Sequence, residues 1–209
     1  MSGGGDIERI RRIYDRRPAG APRSGNDAGL RWLCSRVRGE VLEVGIGRGR
    51  TLPYYPAGVH LTGVDISPVS LAAASERARS MGINASLREA DASDLPFASG
   101  HFDTVGFCFV LCTVPDERKA VAEAARVLRP GGSLLLLEHV RSPNRLVRAI
   151  ERVLQPLTLR FMADHLLREP LDRVLAEGLG VEELERNWFG IVERLCASKP
   201  ELEELAQAV

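Results

Sequence analysis

The sequence predicts a doubly wound α/β sheet, mainly parallel, with an antiparallel hairpin at its C-terminal edge. Three observations carry this prediction. Short apolar runs alternate with helical patterns between residues 40 and 140. One run, Leu134-Leu135-Leu136-Leu137, is apolar without interruption, as in a strand buried on both faces. Finally, Val181–Asn187 and Ile191–Ala197 are separated only by Trp188-Phe189-Gly190, a link too short for a parallel crossover.

Taken in order, Asp6 to Arg17 places Ile7, Ile10, Ile13 and Tyr14 at helical spacing. Its other face carries Arg9, Arg11, Arg12, Arg16 and Arg17. Such a helix can cap the domain and cover a ligand, or lie on an anionic membrane. Pro18 to Gly29 reads as a loop. Leu30, Leu33 and Val37 form a second helix face, ended by Gly39. Glu40–Val44 is the first strand, followed by a short helix at Thr51–Tyr55 that Pro53 and Pro56 limit. Val59–Val64 is the second strand, running into Asp65. Ser67 and Pro68 are an N-cap and a first-turn proline for the next helix. Ala85–Glu89 and Phe102–Phe107 are the third and fourth strands. A helix begins at Asp116, Pro130-Gly131-Gly132 is a hard turn, and Ser133–Leu137 is the fifth strand.

This gives one folding unit in three parts: residues 1–39 as N-terminal helices and cap, 40–200 as the ligand-binding domain, and 201–209 as a tail. An insert at 140–180 shapes a second pocket. In it, Leu146, Val147, Ile150, Val153, Leu154 and Leu157 form an apolar face among Arg145, Arg148 and Arg152. That face reads either as core packing or as the wall of a hydrophobic pocket.

Lys+Arg and Asp+Glu are both 28, which leaves no general footprint for nucleic acid. The cysteines, Cys34, Cys108, Cys112 and Cys196, form no CxxC pair, and no metal site is expected. No run approaches the ~20 apolar residues of a membrane span, and the N-terminus has no signal pattern. The expectation is a cytoplasmic protein with reduced thiols, peripheral to a membrane if its first helix binds one.

Strand ends carry the chemistry. In an open α/β sheet the ligand sits beyond the carboxyl ends of the strands, at the switch point. Glu43-Val44-Gly45-Ile46-Gly47-Arg48-Gly49 is the first such end. Its glycines let backbone N–H groups approach a ligand. Asp65 ends the second strand, where a carboxylate accepts from a ribose diol. Asp91 follows the third strand and is placed to accept from an adenine amine, with Ile66 and Ala92 flanking the base. A pyrophosphate cofactor such as NAD needs GxGxxG and no carboxylate at the edge of the turn. Here the spacing is GxGxG and Glu43 precedes it. A ligand bearing ammonium and sulfonium charges tolerates that acid, which points to S-adenosylmethionine (SAM).

The segments Val41–Gly49, Gly63-Val64-Asp65-Ile66-Ser67, Asp91-Ala92, Leu95-Pro96-Phe97, Phe102-Asp103 and Arg126–Gly132 resemble class I SAM-dependent methyltransferases of the type 11 kind. The resemblance spans roughly residues 40–140 and implies a Rossmann-like fold. It implies that Glu43, Gly45, Gly47 and Gly49 form the methionine-end loop. It also implies that Asp65 holds the ribose, Asp91 and Ala92 the adenine, and that Phe107 lies beside the methionine. Phe109–Val114, Leu137-Glu138-His139-Val140 and Val153–Leu157 further resemble the methyltransferase-like-seven branch, which includes thiol methyltransferases. Asp164 and Arg168 fall where that branch has an Asp and an Arg.

Methyl transfer from a sulfonium is an in-line displacement that needs positioning and at most a base. No metal is expected to take part. His139 ends the fifth strand, and an imidazole's ordinary pKa of ~6.5 suits a base at neutral pH. Asp164 is the second catalytic candidate, and Tyr14 is expected to close over the cofactor. The expected reaction is methylation of a small apolar acceptor: a thiol, phenol, quinol or amine. Phospholipid N-methylation at a membrane surface and a SAM-binding regulatory protein without turnover are the alternatives.

Overall fold

The computed structural model describes residues 3–16 and 27–201. Its elements are α1 (Gly3–Asp15), α2 (Asp27–Cys34), β1 (Glu40–Val44), a 3₁₀ turn (Leu52–Tyr54), β2 (His60–Asp65), α3 (Pro68–Ser80), β3 (Ala85–Glu89) and β4 (Phe102–Cys108). After these come α4 (Glu117–Val127), β5 (Leu128–His139), α5 (Arg145–Met162), α6 (Pro170–Ala176), β6 (Gly180–Asn187) and β7 (Val192–Ser198).

The seven strands are ordered β3-β2-β1-β4-β5-β7-β6. The first five pair in parallel, and β7 enters antiparallel between β5 and β6. The expected doubly wound sheet with an antiparallel C-terminal hairpin is thus the fold. Alternate leucines of β5 serve opposite faces. Leu134 and Leu136 pack with α4 and with Val174 of α6, whereas Leu135 and Leu137 pack with Leu30 and Leu33 of α2. This two-sided burial explains the uninterrupted leucine run.

Local signals set the element ends. The Ser67 hydroxyl accepts from Ser70 N with Pro68 in the first turn, and Asp116 accepts from Arg118 and Lys119 N. Three expectations need correction. Pro130-Gly131-Gly132 does not stop the chain: β5 runs through it from Leu128, and the register against β4 steps between Phe102 and Thr104. Gly131 supplies the left-handed φ of 71° that this irregularity needs, and its N–H donates to Lys199 O. Val37 is buried but lies beyond α2, which ends at Cys34. Asp27–Gly29 opens α2 rather than ending a loop; residues 17–26 of the expected helix end and loop, and 202–209 of the tail, lie outside the described residues.

The largest departure is α5. Its apolar face does not pack: Leu146, Ile150, Val153, Leu154 and Leu157 are all exposed. The side it turns inward carries Glu151, whose buried carboxylate accepts from Ser142 N.

Candidate functional site

A cleft of about 610 Å³, open space at its mouth included, lies over the carboxyl ends of β1, β2, β3 and β4. The sheet order reverses between β1 and β4, so this is the switch point. Val44, Gly45 and Gly47 line it after β1, Asp65 and Ile66 after β2, and Ala90, Asp91 and Ala92 after β3. Phe109, Val110, Thr113, Val114 and Pro115 form the wall after β4, and Ile7, Ile10 and Tyr14 of α1 close it from above.

Asp65 holds the turn it faces. Its Oδ2 accepts from Gly47 N at 2.9 Å and its Oδ1 from Ser67 N at 2.9 Å. A carboxylate has about four lone-pair sites, so capacity to accept from a diol remains. Asp91 Oδ1 accepts from Ser93 N at 2.8 Å. Gly45 adopts φ 71°, and a Cβ there would run into the Val110 side chain. The turn therefore packs against the opposite wall, which only glycine permits.

The cap is fastened at three points. Arg11 Nε donates to Ile66 O at 2.8 Å, Arg11 also pairs with Glu89, and Ser67 Oγ donates to Asp15 Oδ1 at 2.5 Å. With Ile7, Ile10 and Tyr14 turned to the cleft, the apolar side of α1 faces the domain.

Five predicted residues, Phe107, Gly49, Glu43, His139 and Asp164, do not line the cleft. Phe107 is fully buried in the core, beside Val44 and Leu136 in the sheet. Phe109 takes the position expected of it, with a φ of 55° that sends its ring out of the strand. Gly49 sits under the turn against Leu52. Glu43 is buried below the turn, where it accepts from Thr51 Oγ1 at 2.7 Å and from Tyr55 OH at 3.0 Å. Burial pushes its carboxyl up to about 7, although the Thr51 and Tyr55 hydrogen bonds oppose the shift. His139, the fourth, packs its ring on Phe109 with centroids 4.6 Å apart, one side chain from the cleft. Its Nδ1 is 3.9 Å from Asp164 Oδ2, an ion-pair distance longer than a hydrogen bond.

Two residues that sequence reasoning did not assign hold the Phe109–Pro115 wall. Glu138 is wholly buried, and its Oε1 accepts from Val110 N at 2.7 Å and Leu111 N at 3.0 Å. Burial pushes its carboxyl up to about 7 despite these bonds. The Arg168 guanidinium donates to Leu111 O and to Pro115 O, and pairs with Glu117 at 3.5 Å. Both fall in positions that resemble the methyltransferase-like-seven branch, but no local signal gave them a role, because their partners are 27 and 57 positions away.

Cys112, His139 and Asp164 also place one ligand-type atom each within 4.8 Å of one another. Donors around a bound zinc ion sit roughly 3.5 Å apart, so this group is looser than a formed site. It arises from the segment after β4, the end of β5 and the segment after α5, which is why no motif betrayed it.

Residues 42–136 match the family described as "Methyltransferase domain". Over this segment the chain is similar to a methyltransferase domain. The segment contains the glycine turn, Asp65, Asp91 and β5 as far as Leu136. The chain is 40% identical over 118 residues to a phosphatidylethanolamine N-methyltransferase of Cereibacter sphaeroides, covering 56% of this chain and 58% of that one. It is 32% identical over 145 residues to a demethylmenaquinone methyltransferase of Thermus thermophilus, covering 65% and 66%. The chain spans 58% and 66% of the length of these two relatives. Among solved structures, geranyl diphosphate C-methyltransferase from Streptomyces coelicolor superposes with a TM-score of 0.73 at 14% identity, covering 93% of this chain and 97% of that one. YcgJ of Bacillus subtilis gives 0.67 at 22%, covering 83% and 99%. Both likenesses concern the fold of the methyltransferase domain.

Proposed function

We propose that the protein moves the methyl group of SAM to an apolar acceptor at the Phe109–Pro115 side of the cleft. The observation that carries this reading is the asymmetry of the cleft. Two carboxylates, Asp65 and Asp91, stand on the wall after β2 and β3, while the wall after β4 is almost entirely apolar.

The donor supplies an electrophilic methyl on a sulfonium. Asp65 and Asp91 accept hydrogen bonds from its ribose and adenine, and the Gly45–Gly47 turn offers backbone N–H groups. Ile66 and Ala92 give the base apolar faces. The α1 cap keeps water out, so positioning carries much of the rate. An acceptor with an acidic proton hands it to His139, and Asp164 then steadies the imidazolium. His139 reaches the reacting atoms only if Phe109 turns aside, which makes Phe109 the gate of the acceptor pocket. The displacement itself uses no metal, and chelator treatment is expected to leave turnover unchanged.

A specific observation favours a second reading, phospholipid N-methylation: the 40% identity to the Cereibacter enzyme over 118 residues. An acceptor panel of thiols, phenols, quinols, amines and phosphatidylethanolamine vesicles with methyl-labelled SAM separates the two. Failure to bind SAM by calorimetry ends both readings. Binding without product on every acceptor leaves a SAM-binding regulatory protein.

A further inference from the structure

We propose that α5 and the β6–β7 turn form a docking face that seats the protein on an anionic lipid surface. Leu146, Ile150, Val153, Leu157 and Phe161 are 79%, 59%, 79%, 58% and 64% exposed. At 100° per residue they fall within about 80° of arc, a single stripe. The helix cannot roll this stripe inward cheaply. Its opposite side holds the buried Glu151 carboxylate on Ser142 N at 3.1 Å, and turning the helix would strand both groups.

Charge names the occupant. The charged residues of α5 are Arg145, Arg148, Arg152 and Arg160 with a single acid, Glu151, turned inward. Arg160 borders the stripe, Arg145 and Arg152 are exposed farther round the helix, and no acid of α5 is exposed, which fits anionic headgroups above acyl chains. Arginine stems can lie along the stripe with their heads at the phosphates. A second copy of this face would oppose arginine to arginine with no acid between them, which argues against self-association. Among the described residues no helix is long and apolar enough to cross a membrane, so α5 would lie in the interface plane.

The hairpin turn extends the face. Trp188 and Phe189 are 64% and 82% exposed, held in left-handed conformations at φ 54° and 56°. Ser142 Oγ donates to Phe189 O at 2.6 Å, tying this aromatic tip to the start of α5. Aromatic rings of this kind favour the headgroup level. At the other end, Arg9 of α1 donates to Leu159 O at 2.6 Å, so the face continues to the cap over the cleft. This surface is separate from the apolar side of α1, which the cleft occupies, and the inference holds whatever the acceptor is.

Vesicle co-sedimentation of the full chain tests it, with phosphatidylcholine alone and with phosphatidylcholine plus phosphatidylglycerol. The wild type is expected to sediment with the mixed vesicles and not with phosphatidylcholine alone. Trp188 emission should shift to the blue, since the second tryptophan, Trp32, is already buried. Val153→Asp/Leu157→Asp and Arg145→Glu/Arg152→Glu/Arg160→Glu should each weaken binding about tenfold or more. Both variants change only exposed residues of α5, so each should keep wild-type SAM affinity by calorimetry. Wild-type protein that ignores the mixed vesicles overturns the proposal, as does equal binding to both vesicle types or binding that the α5 variants leave unchanged. A lipid-free dimer dissolved by Val153→Asp/Leu157→Asp would show instead that a second copy covers the face.

Discussion

The two walls of the cleft are built by opposite means. Within itself the donor wall, after β1, β2 and β3, is tied by Asp65 to Ser67 N and Asp91 to Ser93 N, each two residues on, and by Asp65 to Gly47 N after the neighbouring strand. The acceptor wall, after β4, is tied by groups from far along the chain, Glu138 from β5 and Arg168 from beyond α5. A ligand shared by many proteins can be held by a compact local device. A pocket specific to one acceptor draws on longer, more variable connections, which tolerate change.

The strongest way to break this division is at the seam. Gly45 belongs to the donor turn, yet its Cα packs on Val110 of the acceptor wall. Gly45→Ala meets two costs: roughly 1–2 kcal/mol for a left-handed non-glycine residue and roughly 1–3 kcal/mol for overpacking. Urea unfolding should show a loss of about 2–5 kcal/mol, with SAM binding severely weakened. Gly58→Ala is the control, because Gly58 has φ 89° and nothing near its missing Cβ. It should lose only the conformational part. Equal losses at the two sites would mean that the walls do not touch.

The same division explains what could be read from the sequence. The strands and their order of use were legible because buried parallel strands need apolar runs and ends marked by Gly or Asp. Asp65, Asp91, Ile66, Ala92 and the Gly45–Gly47 turn were legible because each follows its own strand directly. Phe107 and Phe109 were confused because position at a strand end does not reveal a local φ of 55°. Glu43 looks like a ligand group in sequence, but Thr51 and Tyr55 fold back on it. The exposed face of α5 has the periodicity of a core helix, and periodicity alone does not say whether lipid, protein or water meets it.

Each wall rests on one buried carboxyl, and pH can sharpen the comparison. Glu43 and Glu138 are both raised by burial from the ordinary 4.5 to about 7. The folded state then binds the proton more tightly than the unfolded chain. Their contribution to stability is fully present below about 4.5 and is lost as pH rises through about 7, by up to roughly 3 kcal/mol each. His165 acts the other way. Burial, with Arg168 nearby, lowers it to about 4, so its contribution is lost as pH falls from the ordinary 6.5 through that value. The informative quantity is therefore the difference between wild type and Glu43→Gln or Glu138→Gln in unfolding free energy at pH 5 and pH 7.5, which spans most of the decline between the ordinary 4.5 and about 7. Each variant should flatten the decline; a slope identical to wild type would show that the carboxyl is ionised throughout.

On the acceptor wall, His139→Asn should lower kcat about a hundredfold for thiol or phenol acceptors. Calorimetric SAM affinity should stay unchanged, because the imidazole lies beyond Phe109 rather than on the donor wall. An amine that attacks already deprotonated should be affected less. Equal loss on all acceptors would assign His139 to holding Phe109 in place instead of moving a proton.

The smallest expected effect tests the donor wall itself. Asp65→Ala removes the acceptor for Gly47 N and Ser67 N as well as the proposed ribose contact. Because water can re-enter the open cleft and satisfy these groups, the cost to SAM binding should stay near about 2 kcal/mol, roughly 30-fold in Kd. Asp65→Asn keeps one oxygen, which can still take the Gly47 or Ser67 N–H, so its loss should be smaller. The ratio of the two separates the carboxylate's roles. If Asn restores the turn but not the affinity, the charge acts on the ligand. If Asn restores both, Asp65 serves the donor only by fixing the backbone around it, and the ribose diol must find its acceptor elsewhere on that wall.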